Sequence, residues 1–175
     1  FVMIPNGWDQ ADFPDISAVQ AGLPPPQTVD GRIVLLHPGS AYQSEPLPLL
    51  DALDRLAADG IDLQRLCFHF IGYVHPQDQV RIANSPHNML FRLDGDRVPH
   101  DEVLRLMRSA HILLLLLRKG PYASSGKVFE YMVVGRPVLH IGATDGVAGQ
   151  LVQRSAIGCT VNPNAVEELA ITLRL

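Results

Sequence analysis

The sequence predicts a three-layer α/β/α, Rossmann-like domain on a mostly parallel sheet of about six strands. Short, near-continuous apolar runs recur along the chain, which is how strands covered on both faces read. Between them lie segments whose apolar residues recur at three and four positions, the mark of one buried helical face. With 175 residues, 47% hydrophobic and 18% charged, the chain can fill one sizeable core.

The chain opens on Phe1-Val2-Met3-Ile4, an apolar, strand-like run broken at once by Pro5-Asn6-Gly7 and lacking the basic leader of a secretory signal. It reads as a strand cut from something larger. A Pro-rich stretch from Pro14 to Pro26 follows without clear period, so residues 1–30 are assigned as a linker or surface wrap ahead of a domain at 31–175. Strands are predicted at Ile33–His37, Cys67–Gly72, Met89–Leu93, Ile112–Leu117, Pro137–Ile141 and Gly158–Val161. Leu49, Leu50, Leu53, Leu56 and Ala57 mark one amphipathic helix; Val103, Leu104 and Met107 mark another. Further helices are expected at Gln77–Ala83, Gly126–Val134, Gly146–Arg154 and Ala165–Leu173. Gly60, Gly135 and Gly158 stand near helix-to-strand turns, where tolerance of positive φ is favoured. Such alternation calls for right-handed crossovers, and ligands of these sheets sit beyond the carboxyl ends of the strands. The loops after His37, Leu93, Leu117 and Ile141 are therefore where a site is expected.

Several function classes are disfavoured. A formal net charge of -4 offers no broad positive field for a nucleic acid backbone. Cys67 and Cys159 lie in apolar runs, which suits a reducing compartment. The longest uninterrupted apolar run is Ile112 to Leu117, far short of the roughly 20 residues that cross a bilayer. His37, His69, His75, His87, His100, His111 and His140 form no helical i, i+3 or i, i+4 pair, so no metal site is assigned. His37 stands apart because it ends the first strand beside Gly39. Gly142 to Gly149 has the wrong spacing for a dinucleotide fingerprint and reads as a loop with Thr144 or Asp145 capping the next helix.

The most informative segment runs from Lys119 to Met132, directly after the most hydrophobic strand. Ser124, Ser125 and Gly126 precede a helix whose free N–H groups and positive dipole end favour an anion, and Lys127 adds a full charge. Glu130, one turn in, is placed to accept hydrogen bonds from a ribose diol. The bland alternative is an ordinary serine N-cap with a solvated lysine. A Walker A loop is excluded by count, with five residues between Gly120 and Gly126, and by Val128 where a hydroxyl should hold magnesium.

Ser125-Gly126-Lys127-Val128-Phe129-Glu130-Tyr131-Met132, followed by Gly135-Arg136-Pro137, resembles the K-x-x-E-Y and G-x-P donor motif of retaining GT-B glycosyltransferases of the group 1 type. Val2-Met3-Ile4-Pro5-Asn6-Gly7 is similar to the family's exit from its N-terminal domain, Ile33 to Ser40 to the first strand and glycine loop of the C-terminal domain, and Val98-Pro99-His100-Asp101-Glu102 to its V-P-x-x-E segment. The resemblance implies a donor site made of Gly39, Ser40, Arg97, Val98, Pro99, Tyr122, Ser124, Ser125, Gly126, Lys127, Val128 and Glu130, with Lys127 and Glu130 as catalytic candidates. The base would lie against the backbone near Arg97 to Pro99, the ribose on Glu130, and the diphosphate between Gly39-Ser40 and Ser125-Gly126-Lys127. Two departures stand out. Ser40 and Glu45 occupy the places of an Arg and a Lys that neutralise the diphosphate, and Tyr122 stands where a Glu contacts the sugar. Lys127, with Arg118 or Lys119, is expected to supply the missing charge.

By the same resemblance, the full enzyme transfers a hexose from a UDP- or GDP-sugar to a glycan or lipid-linked acceptor, with retention, without a required metal and with no cofactor. It is expected to be cytoplasmic, peripheral at the inner face of the membrane. The acceptor-binding N-terminal domain is absent from these residues, so this chain alone is expected to bind donor without turnover. Two alternatives stay open: a sugar-nucleotide epimerase of the same architecture, using His37 and Asp145 as acid and base, and a non-catalytic module for an anionic ligand.

Overall fold

The computed structural model describes residues 24–43, 45–95, 98–117 and 126–174. The strands are β1 (Ile33–Pro38), β2 (Leu66–Ile71), β3 (Phe91–Asp94), β4 (Ile112–Leu117), β5 (Val138–Gly142) and β6 (Gly158–Val161). The helices between and after them are α1 (Leu47–Ala58), α2 (Pro76–Ala83), α3 (His100–Ser109), α4 (Lys127–Val134), α5 (Val147–Arg154) and α6 (Val166–Thr172). All neighbouring strands pair in parallel, in the order β3-β2-β1-β4-β5-β6.

The continuous apolar runs become strands buried on both sides because helices cover both faces. Along β4, Leu114 and Leu116 enter one core with Leu35, Phe68, Phe70, Leu49, Leu53 and Leu169, beneath α1 and α6. Leu113 and Leu115 enter the other with Val34, Leu36, Met107, Val128, Tyr131 and Val152, beneath α3, α4 and α5. The period-2 alternation of a strand thus distributes one run between two layers. Among the described residues, no helix is long and apolar enough to cross a membrane.

Three local expectations are corrected. The third strand begins at Phe91, not Met89, because Asn88–Leu90 turn as a short 3-10 helix and Met89 is 80% exposed. At the turn into β6 the positive φ falls on Ala156, while Gly158 is required for a different reason: a Cβ there would collide with the carbonyl oxygen of Val138 on β5. The start of α5 is capped by neither Thr144 nor Asp145 but by Gly146, with no side-chain hydrogen bond.

Arg136 does structural work that the motif comparison did not anticipate. Its guanidinium donates to the carbonyl of Arg108 at the last turn of α3 (2.9 and 2.7 Å) and to the carbonyl of Pro24. A cation at the negative end of a helix dipole satisfies carbonyls that have no helical partner. With Gln27 N–H donating to Ser109 O (2.8 Å), it straps the segment before β1 onto α3.

Candidate functional site

The strand order reverses direction between β1 and β4, and there the sheet opens. Pairing runs only from Leu35 opposite Ile112 to Leu36 opposite Leu113. Beyond it the carbonyl of Leu114 faces His37 Nδ1 (3.0 Å) and accepts the hydroxyl of Tyr131 (3.0 Å) in place of a β1 amide. A crevice at the carboxyl ends of the strands is the consequence.

A cavity of about 580 Å³ lies at the carboxyl ends of β1, β2 and β3, bounded by α3 and α4. Its lining includes Gly39 and Ser40 after β1, Gly72 and Tyr73 after β2, Gly95 and Val98 after β3, His100 and Val103 of α3, and Lys127 and Glu130 of α4. The two glycine turns support each other. Gly39 N–H donates to Ile71 O (2.6 Å), and Ala41 N–H to Tyr73 O (2.7 Å), carrying the β1–β2 pairing past the sheet. Gly39 has φ 100 and Gly72 φ 114, and a Cβ on Gly72 would come within 3.1 Å of Gly39 O. The backbone conformation disfavours a side chain at either position, and the space is tight at Gly72, whereas at Gly39 a Cβ would meet only the end of the Lys127 side chain.

Lys127 is the first residue of α4, with Gly126 as N-cap. It reaches across the opening toward β1: a Cβ on Gly39 would fall 2.5 Å from Lys127 Nζ. Burial lowers the pKa of this ammonium, opposed by the charges of Glu45 and Glu130. The result is a half-buried cation beside free helical N–H groups, the environment that strengthens an interaction with an anion. Glu130, one turn further along the helix, lines the same cavity from the same side.

Of the sequence-derived candidates, Gly39, Ser40, Val98, Lys127 and Glu130 come together in this cavity. Pro99 and Gly126 adjoin it as the N-caps of α3 and α4. The Val128 side chain turns the other way, fully buried in the core under α4, which leaves only its backbone to face a ligand. Arg97, Tyr122, Ser124 and Ser125 lie outside the described residues, as do Arg118 and Lys119. His37 does not line the cavity. It is buried beneath the loop, its ring nitrogens 3.0 Å from Leu114 O and 3.3 Å from Ser40 O. Burial, with Lys127 adding, depresses its pKa to about 4, so a neutral ring with a single N–H satisfies only one of these carbonyls.

The loop after β2 was missed by the sequence reading, although a glycine at the carboxyl end of a strand was the signal for it. The loop after β5 was expected at the site and does not reach the cavity lining. A second cavity of about 490 Å³ lies between β1–β3 and α3. It holds a polar cluster in which His69 Nε2 lies 2.7 Å from Asp94 and Arg92 donates to the same carboxylate at 2.8 Å.

No family model and no curated protein matches the chain. Solved structures do. The alpha,alpha-trehalose-phosphate synthase (UDP-forming) from Burkholderia vietnamiensis aligns at TM-score 0.59 and 15% identity, over 82% of this chain and 36% of that one. The C-terminal domain of a glycosyl transferase group 1 family protein (LpcC) from Francisella tularensis aligns at TM-score 0.58 and 14% identity, over 82% and 74%. TarM aligns at TM-score 0.54 and 14% identity, over 98% and 30%. The chain shares their fold. It is the fold the motif resemblance implied, and the chain spans about a third of the length of the synthase it matches.

Proposed function

We propose that this chain is the donor-binding domain of a glycosyltransferase and holds the nucleoside-diphosphate end of a UDP- or GDP-sugar in the cavity at the carboxyl ends of β1 and β2. One observation carries the reading: Gly39, Ser40, Lys127 and Glu130, nominated from separate motifs, line a single cavity at the point where the strand order reverses. On this reading the diphosphate lies between the Gly39-Ser40 turn and the start of α4, the ribose hydroxyls donate to Glu130, and the base packs near Val98 and Pro99. The side chains of Lys127 and Glu130 are held by a helix, and the glycine turn by the β1–β2 hydrogen bonds, so the donor would meet a preformed site.

In the full-length enzyme an N-terminal domain would bring a glycan or lipid-linked acceptor to the sugar. Bond cleavage leaves negative charge on the departing diphosphate, and Lys127 with the N–H groups at the start of α4 is placed to stabilise it. Lys127 and Glu130 are therefore the residues we assign to donor binding and to stabilising the leaving group. The epimerase alternative rests on His37, which is buried outside the cavity lining, whereas the histidine that lines the cavity is His100 of α3.

A thermal-shift panel of UDP, GDP, ATP and NAD tests the reading. UDP or GDP should raise the melting temperature selectively, in proportion to the logarithm of ligand over Kd. Equal stabilisation by all four, or by none, would contradict it.

A further inference from the structure

The cavity lining changes character along the sheet, because the strand order β3-β2-β1-β4 sets its parts in a line. At the β1 end stand Gly39, Ser40 and Lys127, the groups suited to phosphate. Neighbouring strands are about 4.8 Å apart, so the turn after β3 lies roughly 10 Å from the turn after β1. There the lining is Val98 and Val103, and between the two ends stands Tyr73, on the turn after β2. Ala41 and Val74 pair in parallel across the first two turns and both enter the core beneath α1. The period-2 alternation of extended backbone turns their neighbours Ser40 and Tyr73 the other way, and both line the cavity. Two hydrogen bonds fix the turn: Ala41 N–H donates to Tyr73 O (2.7 Å) and Gly72 N–H to Asp94 O (2.8 Å). Tyr73 is nevertheless 48% exposed, and among the described residues no hydrogen bond or ring contact engages its side chain. A fixed backbone thus presents an aromatic ring that the fold itself does not use.

We propose that Tyr73 is the stacking platform for the base of the bound nucleotide, with Val98 and Val103 closing the far side of the ring. The proposal rests on the donor-site reading and deepens it, by naming the residue that tells a nucleotide from a bare phosphate. Among the described residues the cavity runs from β1 to β3 and takes no lining from β4 or β5. A diphosphate held at the β1 end therefore extends its nucleoside toward Tyr73 and its sugar the opposite way. A neutral planar ring gains from an aromatic face, and that attraction does not depend on the hydrogen-bonding edge of the ring. A tyrosine also costs little to order, having only two side-chain torsions to fix. Tyr73 thereby acts as a specificity-determining residue that favours nucleoside diphosphates over inorganic pyrophosphate. It accepts uracil or guanine, and the two-ring base, with the larger face, gains more.

The chain has four tyrosines, Tyr42, Tyr73, Tyr122 and Tyr131, so NMR of protein carrying ring-labelled 13C-tyrosine gives four sets of signals, and Tyr73→Phe assigns the set of Tyr73. UDP and GDP should move the Tyr73 ring protons upfield, and inorganic pyrophosphate should leave them in place. In calorimetry Tyr73→Ala should bind UDP and GDP roughly five- to a hundredfold more weakly, with the larger loss for GDP, while Tyr73→Phe stays close to the wild type. Pyrophosphate affinity should change by no more than about twofold in Tyr73→Ala, because it binds at the other end of the cavity. If the wild type binds UDP or GDP but Tyr73→Ala binds them equally well, or the Tyr73 signals stay in place, the role of Tyr73 is refuted and the donor site survives. Equal weakening of nucleotide and pyrophosphate in Tyr73→Ala also refutes it, since Tyr73 would then act through the turn that supports Gly39. If UDP, GDP and pyrophosphate all fail to bind the wild type, the donor reading fails and this proposal falls with it.

Discussion

Acidification from pH 7 toward pH 4 is expected to destabilise this domain through two histidines that the fold buries as neutral rings. His37 and His140 are each 1% exposed, and burial foremost depresses both from 6.5 to about 4. In the unfolded chain each ring takes up its proton near pH 6.5, in the folded chain only near pH 4. Between those values the unfolded state binds more protons, so the contribution is complete above pH 6.5 and is lost as pH falls toward 4. The gap between 6.5 and about 4 corresponds to roughly 3 kcal/mol per ring, at about 1.4 kcal/mol per pH unit. Each histidine can therefore remove a large part of the roughly 5–15 kcal/mol that holds a domain together. His140 offers the cleaner test. Its Nε2 has no hydrogen-bond partner among the described residues, and its Nδ1 has only Thr160 Oγ1 at 3.4 Å. His140→Leu thus removes a titrating ring at little cost in bonding. Urea unfolding measured from pH 7 to pH 4 should show a shallower loss of stability in the variant, by up to about 1.4 kcal/mol per pH unit. Carboxylates such as Asp94 contribute equally to both proteins and cancel in the difference. Parallel pH curves for the two proteins would refute the reasoning.

Other outcomes follow from single contacts. Gly158→Ala places a methyl group against the Val138 carbonyl and should cost roughly 3 kcal/mol as β6 is pushed from β5, read as a lowered melting temperature. Arg136→Leu leaves the Arg108 and Pro24 carbonyls without their charged donor and should cost about 2 kcal/mol in urea unfolding. Lys127→Ala should weaken UDP or GDP binding roughly tenfold or more in calorimetry, and unchanged affinity would remove Lys127 from the site.

Strand positions were legible because the apolar runs are continuous. Ile112–Leu117 and Gly158–Val161 match their expected bounds, and the doubly wound order needed no more than the alternation of runs with helical periods. Met89 was misread because residue type does not reveal exposure: an apolar letter next to a strand can sit on a solvent-facing turn. The cavity was legible through Gly39, Lys127 and Glu130, whose chemistry depends on residue type and nearest neighbours. Three features depend on tertiary placement and were not legible. Gly72 matters through its approach to Gly39 from a neighbouring strand. Glu45 is buried at the turn after β1, which its residue type does not announce. Val128 carries a motif position yet belongs to the core, since the helix that presents Lys127 and Glu130 must bury its other face.

Backbone amide shifts followed by 15N–1H NMR during titration with UDP or GDP address the donor site most directly. The account predicts perturbations clustered at Gly39, Ser40, Gly72, Val98 and Lys127 to Glu130, with His69 and Arg92 in the second cavity unmoved. Shifts confined to His69, Arg92 and Asp94, or no shifts at millimolar nucleotide, would contradict it.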